Sequence, residues 1–408
     1  MRHLIIGASA AGIAAARKIR SLRPEDEITV VAKDTRVHSR CMLHHFLSGH
    51  KTADDINFAG ADFFEKNRVR FLSDEEVTSI SPDDRCVVTK KSGKLSWDAL
   101  LIATGAHWFI PPVPGVREAK GKHLFGLRSL CDAEAIDAAA RGAKECVVVG
   151  SGLVGLDAAY ALSERGVKCH IVEMESRVCP LQLDERAGEP YKKLFEEAGC
   201  TFHLGKKAVT AELDAEGRAR TLCLESGERL PADFIIVTAG VRPNVEFLGD
   251  SVTVDRFVKV DDLLRTSADE VWAAGDVTGL SGIWPAAALQ GETAARNMCG
   301  ESVPYADRYA MKNTMNLFGL VTLSLGKNVP EPGDTVIVKD WRTGYVKVIL
   351  RDGRVTHITL QGDISHSGIW QELIKRGVPV ADVKKPVDRL TWADFWNVDD
   401  ATGRYVWR

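Results

Sequence analysis

In this chain of 408 residues, an apolar strand, a glycine-rich turn, a small-residue helix and a second apolar strand occur in that order twice. The duplication predicts an α/β fold with two Rossmann-like three-layer domains. Two further observations complete the prediction. Each copy is closed by another apolar strand ending on a small polar residue and glycine. From Pro304 onward the pattern changes to short strands and one helix, which predicts a C-terminal α+β domain.

The first copy reads His3–Ile6, Gly7–Gly12, Ile13–Arg20 and Ile28–Val31, and its closing strand is Leu100–Gly105. Pro111, Pro112 and Pro114 stiffen the exit from this domain. The second copy reads Cys146–Val149, Gly150–Gly155, Leu156–Arg165 and Cys169–Val172, closed by Phe234–Gly240. The chain then returns to the first domain through Trp272-Ala273-Ala274-Gly275-Asp276. The expected division is 1–112 with 243–303 for the first domain, 113–242 for the second and 304–408 for the third. In the third, Val336–Val338, Tyr345–Leu350 and Val355–Gln361 read as strands, with a turn at Arg351-Asp352-Gly353 and a helix near Ile369–Arg376.

Hydrophobic residues make up 45% and charged residues 27%, the mix of a globular protein with large cores, and a net charge of -3 gives no reason to expect nucleic-acid or membrane-surface binding. His3–Gly7 is too short for a signal-peptide core, and no run reaches the roughly 18 apolar residues of a membrane span, so a cytoplasmic protein is expected. The nine cysteines contain no C-x-x-C pair, which argues against a zinc ribbon or an in-chain iron–sulfur cluster. Their odd number and wide spacing fit reduced thiols, most of them small buried hydrophobes. No metal site is expected. His44 and His45 are adjacent and point in different directions from a helix.

Glycine-rich turns let backbone N–H groups approach a pyrophosphate, and the helix that follows adds unpaired donors and a partial positive charge. The second turn, Gly150-Ser151-Gly152-Leu153-Val154-Gly155, is a complete G-x-G-x-x-G. Glu173 ends the next strand at the distance expected for a ribose 2′-hydroxyl contact, so NAD(H) is favoured over NADP(H), with Arg177 close by as the counter-indication. Ala239 and Gly240 close this site. The first turn, Gly7-Ala8-Ser9-Ala10-Ala11-Gly12, has Ser9 in place of the middle glycine, and Asp34 is the nearest carboxylate for an adenosine ribose. Gly275-Asp276 places a carboxylate at a strand's C-terminal edge, suited to a ribityl hydroxyl. The small-residue helix after Trp284, with Ala286 and Ala287, can pack against an isoalloxazine ring and aim its dipole at reduced flavin.

Together, Gly7–Gly12, Ala103-Thr104-Gly105, Gly150–Gly155 with Glu173, Thr238–Asn244 and Gly275-Asp276 resemble the pyridine nucleotide–disulfide oxidoreductases, flavoproteins with two dinucleotide-binding domains. The resemblance implies FAD in the first domain, NAD(H) in the second, and hydride transfer between nicotinamide and flavin N5. It also implies that Asp276 holds the ribityl chain, Glu173 reads the NAD ribose, and the third domain resembles the interface domain through which relatives dimerise. The redox-active C-x4-C pair is absent. His38–Gly49 resembles instead the single-cysteine branch of NADH oxidases, peroxidases and coenzyme A disulfide reductases. Cys41 falls where their reactive cysteine sits, and a helix N-terminus with Arg40 and two histidines nearby would lower its pKa.

Departures pull the reading elsewhere. Met42 and His44-His45 follow the cysteine, and Ala10 stands where the oxidases and peroxidases carry a catalytic histidine. Asn313–Gly319 resembles relatives that deliver electrons to iron–sulfur proteins, such as rubredoxin and ferredoxin reductases and flavin subunits of dehydrogenase complexes. The first expectation is therefore electron exchange with an external iron–sulfur carrier or partner subunit, by a homodimer or a subunit of a larger complex. Thiol chemistry at Cys41 on a disulfide, persulfide or peroxide is the alternative. Reduction of O2, or a flavoprotein that uses NADH only as a conformational signal, are further readings.

Overall fold

A computed structural model describes residues 1–307, 312–380, 383 and 385–407. Their contacts divide the chain into two compact units, Met1–Met174 with Gly199–Arg308, and Glu175–Ala198 with Tyr309–Arg408.

The first unit holds both parallel sheets. In chain order its main elements are β1 (Arg2–Ile6), α1 (Ala10–Leu22), β2 (Glu27–Val31), α2 (Leu43–Leu47), β3 (Val69–Leu72), β4 (Ala99–Ile102), β5 (Leu124–Phe125), α3 (Leu130–Ala140), β6 (Glu145–Val149), α4 (Leu153–Ser163), β7 (Lys168–Glu173), β8 (Thr201–Leu204), β9 (Phe234–Val237), β10 (Val271–Ala273) and α5 (Trp284–Met298). One sheet has the order β10-β4-β1-β2-β3 and the other β5-β9-β6-β7-β8, every pairing parallel. The two orders correspond strand for strand, as a duplicated unit requires.

Side chains alternate across the first sheet because successive residues of a strand point to opposite faces. Ile5, Val30 and Leu101 pack with α1 and α5, while Leu4, Ile6, Leu100 and Ile102 pack with Val77, Ile80 and Val87 of an antiparallel three-stranded flap. That gives helix, sheet and flap as three layers, in accord with the expected fold class. The helices α1 and α5 cross so closely that a Cβ on Gly291 would lie 2.1 Å from the Ala11 carbonyl oxygen. Among the described residues no helix is long and apolar enough to cross a membrane.

The second unit is a five-stranded antiparallel sheet with the helix Ser367–Arg376 against one face. The three predicted strands occur as Thr335–Trp341, Gly344–Arg351 and Arg354–Gln361. A hairpin the sequence reading did not anticipate, Lys312–Leu317 with Leu320–Gly326, occupies the Asn313–Gly319 stretch. Phe318 and Gly319, with φ of 53° and 78°, make its two-residue turn with both φ positive, a geometry whose signal is weak when phenylalanine holds the first place. The helix Glu185–Glu197 lies inside the 113–242 segment in sequence but belongs to this unit. Tyr191 donates to the Leu320 carbonyl at 2.9 Å, and Gln361 donates to the Ala187 carbonyl at 2.9 Å.

His357 is fully buried in this sheet, its Nε2 2.8 Å from Thr359 Oγ1, and burial pulls its pKa from 6.5 down to about 4. The unfolded chain takes up a proton near 6.5, whereas the folded chain resists until about 4. The stabilisation is thus complete above the upper value and lost as pH falls through this window, at a cost of about 3 kcal/mol over its full width. Urea unfolding at several pH values should show that decline, and His357→Gln should flatten it. An equally steep decline in the variant would assign the effect to other groups.

Candidate functional site

Both parallel sheets carry their glycine-rich turns at the C-terminal edge, where the strand order reverses and ligands bind in such folds. In the first, Gly7 N donates to Val31 O at 2.8 Å, and in the second, Gly150 N donates to Val172 O at 2.7 Å. Gly7 has φ of +116°, and a Cβ there would lie 2.2 Å from Ala103 O. A Cβ on Gly12 would lie 1.8 Å from Gly7 O. These two glycines let β1, α1 and the closing strand meet.

Beside this turn lies a cleft of about 510 Å³, counting its open mouth, which brings together several residues expected from sequence. Ser9, Ala10 and Ala11 come from the start of α1, Ala103 and Gly105 from the closing segment, Gly275 and Asp276 from the return segment, and Ala287 from α5. Arg40 and Cys41 also line it. Thr104 is not among the lining residues, its hydroxyl donating to Asn244 O at 2.8 Å, and Ala286 is fully buried in α5. Asp34 stands near Arg40 at 3.8 Å, outside the cleft lining. Trp284 lines the cleft and packs edge-on against Phe58, ring centroids 4.5 Å apart.

Arg128 was missed from sequence. It reaches the cleft from the segment before α3, donates to Ala106 O at 3.2 Å, and forms a close ion pair with Asp276. Arg40 donates to the Arg128 carbonyl at 3.1 Å, so two guanidinium groups and the α1 N-terminus share one wall. An extended cofactor with a pyrophosphate suits this wall. Positive charge and helix amides serve the phosphates, small side chains leave room for a ring, and a carboxylate serves hydroxyls.

The expected lowering of the Cys41 pKa is corrected. The residue sits in a single 3-10 turn, Arg40–Met42, followed by the five-residue α2, so its own segment offers it no long helix N-terminus. Cys41 lines the cleft and is exposed as a residue, yet burial of the thiol, together with the Asp157 carboxylate, pushes its pKa up. Arg128 and Arg40 oppose the shift without reversing it. A raised pKa leaves less thiolate, the nucleophilic form, near neutrality.

At the second turn Gly150 has φ of +107°, and a Cβ on Gly155 would lie 2.0 Å from Gly150 O. Gly152 differs, because a Cβ there would meet nothing within 4 Å, so the space beside the first turn of α4 (Leu153, Val154) stays open. Glu173 Oε2 accepts from both the backbone N and the Oγ of Ser151, each at 2.9 Å. Ala239 and Gly240 follow β9 on the same edge, exposed. Arg177 donates to the Pro180 and Leu183 carbonyls of its own loop.

Residues 1–291 match the pyridine nucleotide-disulphide oxidoreductase family. The chain belongs to that family. Over 392 residues it is 33% identical to the NADH-dependent phenylglyoxylate dehydrogenase subunit epsilon of Aromatoleum evansii, covering 92% of this chain and 91% of that one. It is 26% identical to the NADH-rubredoxin oxidoreductase of Clostridium acetobutylicum, over 89% of this chain and 91% of that one. The covalent putidaredoxin reductase–putidaredoxin complex shares the fold, with a TM-score of 0.83 at 24% identity over 93% of this chain and 94% of that chain. The chain spans about half the length of other curated relatives that it matches at 27% and 28% identity. As a member of this family it is an NAD(H)-dependent flavoprotein oxidoreductase, of a group that binds FAD and NAD(H).

Proposed function

We propose that this chain passes electrons between NAD(H) and an iron–sulfur carrier or partner subunit through FAD, with hydride moving between nicotinamide and flavin N5. In this reading residues 1–112 with 243–303 hold FAD, 113–242 hold NAD(H), and 304–408 form an interface domain of a homodimer or larger complex. The observation that carries the choice of acceptor is the state of Cys41. Burial first, then the Asp157 carboxylate, push its thiol pKa up, which leaves less thiolate for attack on a disulfide or peroxide. The near full-length likeness to a dehydrogenase subunit supports the same reading.

Bound flavin supplies the hydride and single-electron chemistry. This chain's own residues do the rest. Gly7–Gly12, Arg40 and Arg128 would bind the FAD pyrophosphate, and Asp276 its ribityl hydroxyls. Gly150–Gly155 would bind the NAD pyrophosphate, while Ser151 fixes the Glu173 carboxylate for the ribose. Orientation within one compact unit turns the redox step into a positioned one and keeps water away from it.

Cys41→Ser separates this reading from its rival. The variant should keep NADH-dependent reduction of an added iron–sulfur protein such as rubredoxin at a rate within about twofold of the parent. Thiol catalysis predicts a loss of at least about a hundredfold in turnover with the physiological acceptor, and that result would overturn the proposal.

A further inference from the structure

The Arg128 side chain reaches the first cleft from a segment whose backbone is held from two sides. Asp132, on the first turn of α3, accepts at Oδ2 from Arg128 N at 3.0 Å and from Ser129 N at 2.8 Å. Residues 36–40 supply the other side. Arg40 Nη1 donates to Arg128 O at 3.1 Å, and Leu130 N, the first amide of α3, donates to His38 Nε2 at 3.2 Å. His38 is 3% exposed, and its other nitrogen, Nδ1, lies 3.1 Å from Arg36 O. A carbonyl accepts and an amide donates, so one state of the ring satisfies both contacts: neutral, with its proton on Nδ1 and Nε2 bare. A charged ring carries a proton on each nitrogen and turns a donor toward the Leu130 N–H. Arg40 keeps its charge at any ordinary pH, so of the two links only the His38 one is cut by a proton.

The geometry points to His38 as a positioning residue for the flavin site, a clasp that holds Arg128 on the cleft wall only while its ring is neutral. This rests on the reading that the cleft takes the FAD pyrophosphate against Arg40 and Arg128. His38 is not among the residues lining the cleft, so it acts through the backbone of Arg128–Leu130 and not on the cofactor itself. When the ring takes up a proton, the buried Leu130 amide loses its acceptor and two N–H groups face each other. An unpaired buried amide is costly, so the segment parts from residues 36–40 and Arg128 withdraws from the wall. FAD, which needs the guanidinium in place, favours the neutral ring. Binding is reciprocal, so cofactor and proton compete.

The surroundings set the direction of the titration. Burial pulls the His38 pKa below its ordinary 6.5, and Arg40 acts in the same sense, while Asp34, the Arg36 carbonyl and Asp132 oppose the shift without reversing it. The Arg36 side chain is drawn aside to Asp54 at 3.3 Å, and Arg128 is paired with Asp276. Near the start of α3, Cys131 and Glu134 join Asp132 as the titratable groups. The folded value lies below the unfolded one, so the clasp is whole near neutrality and fails as pH falls from the ordinary value downward.

The test measures FAD binding to the apoprotein by quenching of flavin fluorescence, with no turnover required. His38→Leu should weaken binding about tenfold near neutrality, the scale of one buried amide left unpaired. His38→Gln, whose side-chain oxygen can take the Leu130 N–H, should bind within about twofold of the parent. Between about pH 7 and about pH 5 the parent should lose about tenfold in affinity, and His38→Gln about twofold or less. Nitrogen NMR of the parent's imidazole rings needs no variant: one ring protonated on Nδ1 should titrate at lower pH once FAD is bound. Arg128→Ala checks the underlying reading. If it binds FAD like the parent, the phosphates are not held there and the clasp falls with that reading. With Arg128→Ala weakened, unchanged affinity in His38→Leu, even in a variant that melts earlier, would overturn the clasp and leave the flavin reading standing. So would a fall with pH as steep in His38→Gln as in the parent, or the absence of any ring titration moved by FAD.

Discussion

Gly155→Ala is expected to abolish NADH use and lower the melting temperature, while Gly152→Ala three residues away melts no lower than the parent and raises the KM for NADH. The two glycines belong to one motif but face different constraints. A Cβ on Gly155 would lie 2.0 Å from Gly150 O and 2.8 Å from Thr238 Oγ1, so α4 must back away from β6 and β9. Overpacking of this kind costs about 1–3 kcal/mol or more, and moving the helix also carries its N-terminal amides out of reach of a pyrophosphate. Gly152 has φ of −69°, and a Cβ there meets no protein atom within 4 Å. Alanine should therefore cost the fold nothing and stabilise it by up to about 1 kcal/mol through the unfolded chain. The methyl intrudes only where the phosphates approach, and a rise of about tenfold or more in KM, near 1.4 kcal/mol, is the expected result. Thermal melts and NADH titrations of both variants decide it. If Gly152→Ala destabilises the protein and leaves KM unmoved, the space beside it is not the pyrophosphate site.

These contrasts explain which parts of the molecule were legible in the sequence. Strand–turn–helix units follow from local patterning, so the strands β1, β2, β6 and β7 were readable within one residue and the helices α1 and α4 within three. Gly7, Gly12, Gly150 and Gly155 are demanded by backbone approach within a few residues, which is why their pattern announces itself. Arg128 lies 148 residues from Asp276 in the chain, in a segment with no motif, and only tertiary folding brings the charges together. The same holds for Asp157, which reads as one polar residue on an apolar helix until α2 is seen beside it. Cys41 shows the opposite failure. Its neighbours in sequence, Arg40 and two histidines, suggest a lowered pKa, but a pKa is set by the whole surroundings, and enclosure with a nearby carboxylate outweighs the cations.

Removing that unforeseen arginine gives the second large effect: Arg128→Ala is expected to purify with little or no bound flavin. Arg128 and Asp276 are each about four-fifths buried, with 19% and 20% of their side chains exposed, and form a close ion pair on the wall of the first cleft. Taking away one partner of a buried pair leaves the other charge desolvated and uncompensated, a cost of about 3 kcal/mol at the low end of the range. Asp276 would then present unbalanced negative charge to an anionic pyrophosphate, while one of two cations on that wall is gone. Flavin affinity should fall by about a hundredfold or more. The double variant Arg128→Ala/Asp276→Asn separates the two contributions. Neutralising the carboxylate should recover most of the melting temperature, because the orphaned charge is removed, but not the flavin affinity, because the cation is still missing. Reconstitution of each apoprotein with FAD, followed by the quenching of flavin fluorescence, measures the affinity directly. If Arg128→Ala binds FAD as tightly as the parent, the pair is a structural brace and the phosphates are held by Arg40 and the amides of α1 alone.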